Sequence, residues 1–203
     1  MSGRSLKQLL GEVRACHSCE KQLPLGPRPV LRASHTARIL VIGQAPGTRV
    51  HQSGIPWDDP SGERLRDWMQ MGPELFYDEQ RIAIMPMGFC YPGKGKSGDL
   101  PPRPECAPQW HERLLAEMPA LRLTLLIGQY AQKYYLDSGS RRLADTVHNW
   151  QQYLPAYFPL PHPSPRNIRW FRNNPWFETE VLPALRGEIR HCLLYTSDAA
   201  DED

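Results

Sequence analysis

The 203-residue sequence lacks any long apolar run. A membrane-spanning helix needs about 18 consecutive apolar residues, and no stretch of this chain approaches that length. The first ten residues, MSGRSLKQLL, also lack the apolar core and the small-residue cleavage site of a secretory signal peptide. We therefore expect a cytoplasmic protein with no membrane partner, and we expect it to be a monomer.

Charge and cysteine are also present only in modest amounts. The chain has 24 Lys and Arg residues against 22 Asp and Glu residues, which gives a net charge of +2. Its five cysteines are an odd number, and this argues against a disulfide framework in a chain without a secretion signal. Metal or redox chemistry stays open. A 40% apolar and 23% charged composition is typical of a globular protein and excludes wholesale disorder.

The last twelve residues, 192–203, differ in character from the rest. They read CLLYTSDAADED, which resembles the translation of a sequencing adapter. A genuine acidic tail is the alternative. The segment holds four acidic residues, no basic residue and one cysteine. We interpret residues 1–191 as a single domain with a net charge of +6 and four cysteines, and residues 192–203 as a non-native tail.

Four short apolar runs alternate with helix-like stretches. Continuous apolar runs bounded by Gly or Pro favour strands buried on both faces, and they occupy 38–43, 81–87, 123–128 and 157–160. Apolar residues at helical spacing predict helices over 4–15, 61–71, 105–118, 129–136, 141–153 and 183–191. Ser61 is the expected N-cap of the second helix. This order predicts a three-layer α/β/α domain with a central, mainly parallel four-stranded sheet, which binds ligands beyond the carboxyl ends of its strands.

Unusual loops follow these strands. The first strand ends in GQAPG (43–47), a loop that lets a ligand approach backbone amides closely. Segment 86–104 is long for a connection, which indicates a functional loop. The last strand leads to HPSPRN (162–167), where two prolines restrict the backbone around His162. A rigidly held His suits hydrogen bonding to a leaving group, and a structural His beside a turn is the alternative.

Four cysteines form a possible ligand set. Cys16 and Cys19 make a C-x-x-C pair, while Cys90 and Cys106 lie around the long loop. Four thiolates suit either a zinc ion or an iron–sulfur cluster. The alternative is that Cys90 and Cys106 are buried apolar residues and that the C-x-x-C pair is a surface turn.

Together these motifs resemble the uracil-DNA glycosylase superfamily. The resemblance is carried by the C-x-x-C pair, GQAPG, PWDDPSG (56–62) and HPSPRN, in that order. It is nearest to the iron–sulfur branch, since the four cysteines match that branch by position, whereas HPSPRN is nearer the single-strand-selective branch. The resemblance implies a structural [4Fe–4S] cluster on Cys16, Cys19, Cys90 and Cys106, with zinc as the alternative. It also implies an enzyme that flips a uridine out of DNA and hydrolyses its N-glycosidic bond.

The resemblance further implies roles for individual residues. His162 would donate to the uracil O2 as negative charge develops on the leaving base, and the base would stack on Trp57. Gln44 and the Ala45 backbone would contact the base and position water, next to Gly43. Base recognition would also use Gly88 or Met87 backbone groups, or Gln129. Contacts to DNA would come from Ser164, Arg166, Lys94 and Lys96, with Arg103 and Arg169 as further candidates.

Two departures from the family pattern affect the expected chemistry. Ala45 stands where the best-known branch has its water-activating Asp, so we assign that role to Asp59, although a turn and helix entry at Asp58 and Asp59 is an equal alternative. Pro86 stands where the family often has an Asn that reads the uracil edge, so the substrate is uracil or another deaminated base. A DNA- or base-binding protein without glycosylase activity is the second hypothesis. His51 matches a His that one branch attaches covalently to the sugar, but the surrounding basic run is absent and we do not expect trapping here.

Overall fold

The computed structural model describes residues 5–136 and 141–194. Its central sheet has four parallel strands in the order β2-β1-β5-β6. A short antiparallel hairpin, formed by β3 and β4, lies outside this sheet. The strands of the described residues are β1 (Ile39–Ile42), β2 (Ile82–Ile84), β3 (Lys94–Gly95), β4 (Gly98–Asp99), β5 (Leu123–Ile127) and β6 (Tyr157–Leu160). The sheet confirms the prediction, including all four strand positions.

Helices connect successive strands of the sheet. Their bounds are α1 (Leu6–Arg14), α2 (Thr48–Ser53), α3 (Pro60–Met69), α4 (Pro73–Phe76), α5 (Cys106–Ala116), α6 (Gln129–Tyr135), α7 (Leu143–His148), α8 (Ile168–Asn173) and α9 (Leu182–Leu194). Short 3₁₀ turns occupy Glu20–Gln22, Trp150–Tyr153 and Pro165–Asn167, and a π-helix occupies Phe177–Val181. Within the described part of the chain, no helix combines the length and apolarity needed to cross a bilayer.

The sheet separates two apolar cores, because successive side chains of a strand point to opposite faces. In β1, Ile39 and Val41 belong to the core that also contains residues of α3 and α9. Leu40 and Ile42 belong to the other core, which contains residues of α1 and α5. Both faces of β1, β2 and β5 are therefore buried, and the three-layer α/β/α architecture follows from the continuous apolar runs.

Local capping decides where two helices begin. In α1, the Ser5 side chain accepts from the Gln8 N–H, and the Gln8 side chain accepts from the Ser5 N–H, which completes a capping box. The prediction that Ser61 caps α3 is wrong. Asp59 is the N-cap, its Oδ1 accepts from the Gly62 N–H at 2.8 Å, and Pro60 occupies the first helical position.

The final helix extends past its predicted end. α9 continues through Cys192 to Leu194, and Cys192 is buried in the core beside the sheet. The first three residues of the suspected tail therefore continue a native-like helix, while residues 195–203 of that tail lie outside the described part. The non-native origin of 192–203 stays a prediction.

Candidate active site and cysteine pocket

The carboxyl ends of all four sheet strands meet at a pocket of about 710 Å³. We call it the edge pocket. Loops after β1, β2, β5 and β6 contribute Gly43–Gly47, Pro86, Gly128 and Gln129, and His162. Parallel strands place these chain-distant loops at one sheet edge, as the sequence predicts. The lining also includes Trp57, Asp59, Asp99, Ser164 and Arg166.

The GQAPG loop is fixed from two sides. Its backbone carbonyls at Gly43 and Gln44 accept hydrogen bonds from the N–H groups of Met87 and Gly88, at 2.9 and 3.0 Å. The Gln44 side-chain Nε2 donates to the Leu100 carbonyl at 3.1 Å. The Gln44 amide is therefore engaged with the segment that follows the hairpin, and Ala45 remains as part of the pocket lining.

Trp57 occupies a backbone conformation that is rare for a bulky residue. Its φ is 59°, in the left-handed region that costs an L-residue about 1–2 kcal/mol. Two glycines make room for it. A Cβ on Gly43 would lie 2.7 Å from Cζ2 of the indole, and a Cβ on Gly62 would lie 1.8 Å from the Trp57 carbonyl oxygen. The Trp57 and His162 ring centroids are 5.8 Å apart, so an aromatic surface and a hydrogen-bonding imidazole share the pocket.

Hydrogen bonds set the tautomer of His162. The Ser164 N–H donates to Nδ1 at 3.2 Å, so Nδ1 acts as the acceptor and a neutral ring carries its proton on Nε2. Burial lowers the pKa of His162, and the nearby Asp59 carboxylate only partly opposes this effect. The Asn167 side chain donates to the His162 carbonyl at 2.8 Å and fixes the backbone. His162 is therefore a neutral donor at neutral pH.

Asp99 is a pocket carboxylate that the sequence motifs do not single out. It is the last residue of β4 and lines the edge pocket. Burial raises its pKa above the ordinary value, the Arg166 and Lys94 charges oppose this, and Asp59 adds to it. The length of segment 86–104 was the only available signal, since it marks a functional loop without identifying a residue in it.

Some predicted site residues line the edge pocket and others lie apart from it. Ser164 and Arg166 line the pocket, and Arg166 Nη1 donates to the Ser97 carbonyl at 3.4 Å. Lys94 and Lys96 are exposed on the β3–β4 hairpin but are not part of the lining. Gly88 lines the cysteine pocket described below. Other candidates also lie apart from the lining, namely Arg103, Arg169, Met87 and His51.

Pro86 lines the edge pocket, but its carbonyl already has a partner. His111 Nε2 lies 3.0 Å from the Pro86 oxygen, and His111 Nδ1 lies 2.5 Å from the Tyr135 hydroxyl. Because a carbonyl only accepts, Nε2 carries the proton and the Tyr135 hydroxyl donates to Nδ1. This buried network holds the position where the family pattern expects an Asn.

A second, smaller pocket collects the four predicted cysteine ligands. We call it the cysteine pocket, and it is lined by Cys16, Cys19, Cys90 and Cys106 together with Gly88, Phe89 and Trp110. All four cysteines are free thiols. Cys106 Sγ accepts from the Phe89 N–H at 3.4 Å. Cys192, the fifth cysteine, is buried elsewhere, in the core that contains α9.

The chemistry of the cysteine pocket fits a cationic centre. Burial, together with the charges of the neighbouring cysteines, raises the pKa of Cys90 to about 11 and that of Cys106 to about 12. Thiolates gathered in this way need a cation to offset their repulsion. The indole Nε1 of Trp110 is buried and has no hydrogen-bond partner among the described residues, so a donor is available to sulfur. Within residues 5–136 and 141–194, no three His, Cys, Asp or Glu side chains are arranged to hold a single metal ion.

A family model matches most of the chain. The model of the Uracil DNA glycosylase superfamily matches residues 32–186 of this chain. The chain belongs to the uracil DNA glycosylase superfamily. The matched range includes GQAPG, HPSPRN, Cys90 and Cys106, whereas Cys16 and Cys19 precede it. The resemblance to the superfamily is thus confirmed, and the assignment to its iron–sulfur branch stays a prediction.

One solved structure is similar to this chain. That structure is a solution NMR structure from Methanosarcina acetivorans, described as a candidate uracil DNA glycosylase. The similarity has a TM-score of 0.47 and 16% sequence identity, and it covers 79% of this chain and 98% of that one.

Proposed function

We propose that this protein is a DNA glycosylase that hydrolyses the N-glycosidic bond of uracil, or of a related deaminated base, and leaves an abasic site. The observation that carries the proposal is the neutral His162, held with its proton on Nε2 in a pocket that also contains Trp57. Cleavage of the glycosidic bond places negative charge on the departing base. A positioned neutral donor stabilises that charge more in the transition state than in the bound substrate.

The edge pocket supplies the other requirements of the reaction. A base inside a duplex is inaccessible, so the nucleotide must rotate out of the stack into a pocket. The volume of about 710 Å³ lies within the range usual for small-molecule sites. The Trp57 indole offers a stacking surface for the base, and such stacking contributes about 1–3 kcal/mol.

Basic residues around the pocket mouth suit contact with a phosphate backbone. Arg166 and Ser164 line the pocket, and Lys94 and Lys96 are exposed on the neighbouring hairpin. Side chains of these types supply most protein contacts to phosphate oxygens. We propose that the protein works as a monomer on DNA through this face.

Base release from modified oligonucleotides tests the proposal. We expect the purified protein to release uracil from single- or double-stranded oligonucleotides, detected by alkaline cleavage of the resulting abasic sites. Substitution His162→Ala is expected to lower the single-turnover rate at least 100-fold, because it removes the donor to the leaving group. The exposed His35→Ala variant is the control and should retain the wild-type rate.

The outcome of this assay separates the two candidate functions. A wild-type protein inactive on uracil, hypoxanthine and xanthine in both strand forms would contradict the glycosylase proposal. Tight binding to uracil-containing DNA without base release would instead support a DNA- or base-binding member. Two observations favour that second candidate: Ala45 offers no side-chain base, and the Pro86 carbonyl is already occupied by His111.

We further propose that Cys16, Cys19, Cys90 and Cys106 hold a [4Fe–4S] cluster, with zinc as the alternative. The support is that all four free thiols line one pocket. The cluster would stabilise the fold near the GQAPG loop, since Gly88 of this pocket donates its N–H to the Gln44 carbonyl.

Metal content after anaerobic purification tests this ligand set. We expect about four iron atoms per chain and a brown protein absorbing near 400 nm. Each of the variants Cys16→Ser, Cys19→Ser, Cys90→Ser and Cys106→Ser should lose iron, while Cys192→Ser, the matched control, should keep it. A colourless wild type with one zinc per chain would establish the alternative, and retention of iron in the first four variants would contradict the ligand assignment.

A further inference from the structure

Asp99 lies between two of the loops that form the edge pocket, GQAPG and HPSPRN. It ends strand β4 of the hairpin and lines the pocket. A Cβ built on Gly47 would lie 3.4 Å from Asp99 Oδ2, so this carboxylate oxygen faces the GQAPG loop.

Long-range contacts hold the hairpin in this place. The Gln44 amide donates to the Leu100 carbonyl at 3.1 Å, immediately after Asp99. From the HPSPRN side, Arg166 Nη1 donates to the Ser97 carbonyl at 3.4 Å, and a Cβ on Gly98 would lie 3.1 Å from the same Nη1. The GQAPG and HPSPRN loops, which follow different strands, thus hold the residues on both sides of Asp99 in place.

The other pocket carboxylate has a structural task. Asp59 Oδ1 accepts from the Gly62 N–H at 2.8 Å and caps α3. Among the described residues, by contrast, no hydrogen bond occupies the Asp99 carboxylate oxygens. Burial and Asp59 raise the pKa of Asp99, and the Arg166 and Lys94 charges oppose this. Positive charge from Arg166 and Lys94 favours the ionised form of the Asp99 carboxylate, which is the form a general base requires.

We propose that Asp99 is the general base that activates the attacking water, in the role that sequence resemblance assigns to Asp59. In this step the water oxygen bonds to C1′ of the flipped nucleotide and its proton passes to the Asp99 carboxylate. The bond from C1′ to the base nitrogen breaks, and its electron pair leaves with the base. His162 Nε2–H stabilises that anion, and solvent later removes the proton from Asp99. The step needs no co-reactant except water.

This inference rests on the proposed glycosylase function, and single-turnover kinetics with uracil-containing single-stranded DNA test it. We expect Asp99→Asn to lower the rate at least 100-fold while the dissociation constant for the same DNA changes less than threefold. Asp59→Asn, which keeps an N-cap acceptor, should stay within tenfold of wild type. The exposed Asp67→Asn variant is the control for loss of a surface carboxylate.

Chemical rescue distinguishes a base from a residue that only anchors the hairpin. Added formate should raise the single-turnover rate of Asp99→Ala at least tenfold, whereas chloride at equal ionic strength should not. Formate should not change the rate of Asp59→Ala. A rate within threefold of wild type in Asp99→Asn would overturn the inference and leave the glycosylase function intact. Weakened DNA binding without formate rescue would equally overturn it. An inactive wild type would overturn the proposed function together with this inference.

Discussion

Trp57 has a φ of 59°, and this conformation fits because the two residues that pack against it, Gly43 and Gly62, carry no side chain. Gly62 is the more severe case, since the atom that a Cβ would meet is the Trp57 backbone carbonyl, at 1.8 Å. Gly43 faces the indole itself, at 2.7 Å. The orientation of the Trp57 indole in the edge pocket therefore depends on the space that these two glycines leave for it.

Substitution Gly62→Ala is expected to destabilise the protein and to lower base release. The added methyl must displace the Trp57 backbone, and overpacking of this kind typically costs about 1–3 kcal/mol of unfolding free energy. Urea denaturation measures the effect. The control is Gly11→Ala in helix α1, where nothing lies within 4 Å of the new Cβ and where Ala should add about 0.5–1 kcal/mol. Equal stability of Gly62→Ala and wild type would contradict the steric argument.

At the scale of the element, helix α3 depends on Asp59 for its first turn. The carboxylate satisfies the Gly62 N–H, one of the four N–H groups that a helix start leaves without partners. The sequence places an acidic pair before Pro60, which predicts a helix entry, but it does not say which residue is the cap. The same geometry explains why Asp59 lies close enough to influence His162.

Two substitutions separate the capping role of Asp59 from its charge. Asp59→Asn should unfold at nearly the wild-type temperature, because Asn caps helices as well as Asp does. Asp59→Ala should lose about 1 kcal/mol of stability, which thermal denaturation resolves. If both variants lost the same stability, the negative charge of Asp59 would matter more than its hydrogen bond, and the capping interpretation would fail.

At the scale of the whole molecule, His111 joins three elements across one layer. It extends from α5, accepts from Tyr135 at the end of α6, and donates to the Pro86 carbonyl beyond β2. Its side chain is 1% exposed. Burial lowers the pKa of His111 to about 4, and the Pro86 hydrogen bond opposes this only in part.

This network predicts acid-sensitive stability. Between pH 6.5 and about 4 the unfolded chain binds a proton at His111 that the folded protein does not bind. The stabilisation is therefore complete above pH 6.5 and is lost as the pH falls toward 4, by about 3 kcal/mol at most. His111→Gln should show a shallower decline in unfolding free energy over this window, and exposed His35→Gln should decline as wild type does. Parallel curves for all three proteins would contradict the prediction.

The sequence by itself determined the layers of the fold, and it supplied predictions for the site residues. Continuous apolar runs specify strands buried on both faces, and parallel strands bring GQAPG and HPSPRN to one edge of the sheet. The resemblance to the superfamily, and not this geometry, pointed to Trp57 and to the role of His162. Cys16, Cys19, Cys90 and Cys106, which the sequence offers as a ligand set, line one pocket, and their role as ligands stays a prediction. Such features depend on local pattern and on the general geometry of parallel sheets.

Only the tertiary structure decided how the site is arranged. The tautomer of His162, the position of Gly88 in the cysteine pocket and the identity of Asp99 as a residue of the edge pocket could not be read from any one segment of the sequence. Asp99 reaches the site because Gln44 bonds to Leu100, 56 residues away, and Arg166 bonds to Ser97, 69 residues away. Contacts between such distant residues arise from the packing of the folded chain, and the pattern of residues within one segment does not encode them.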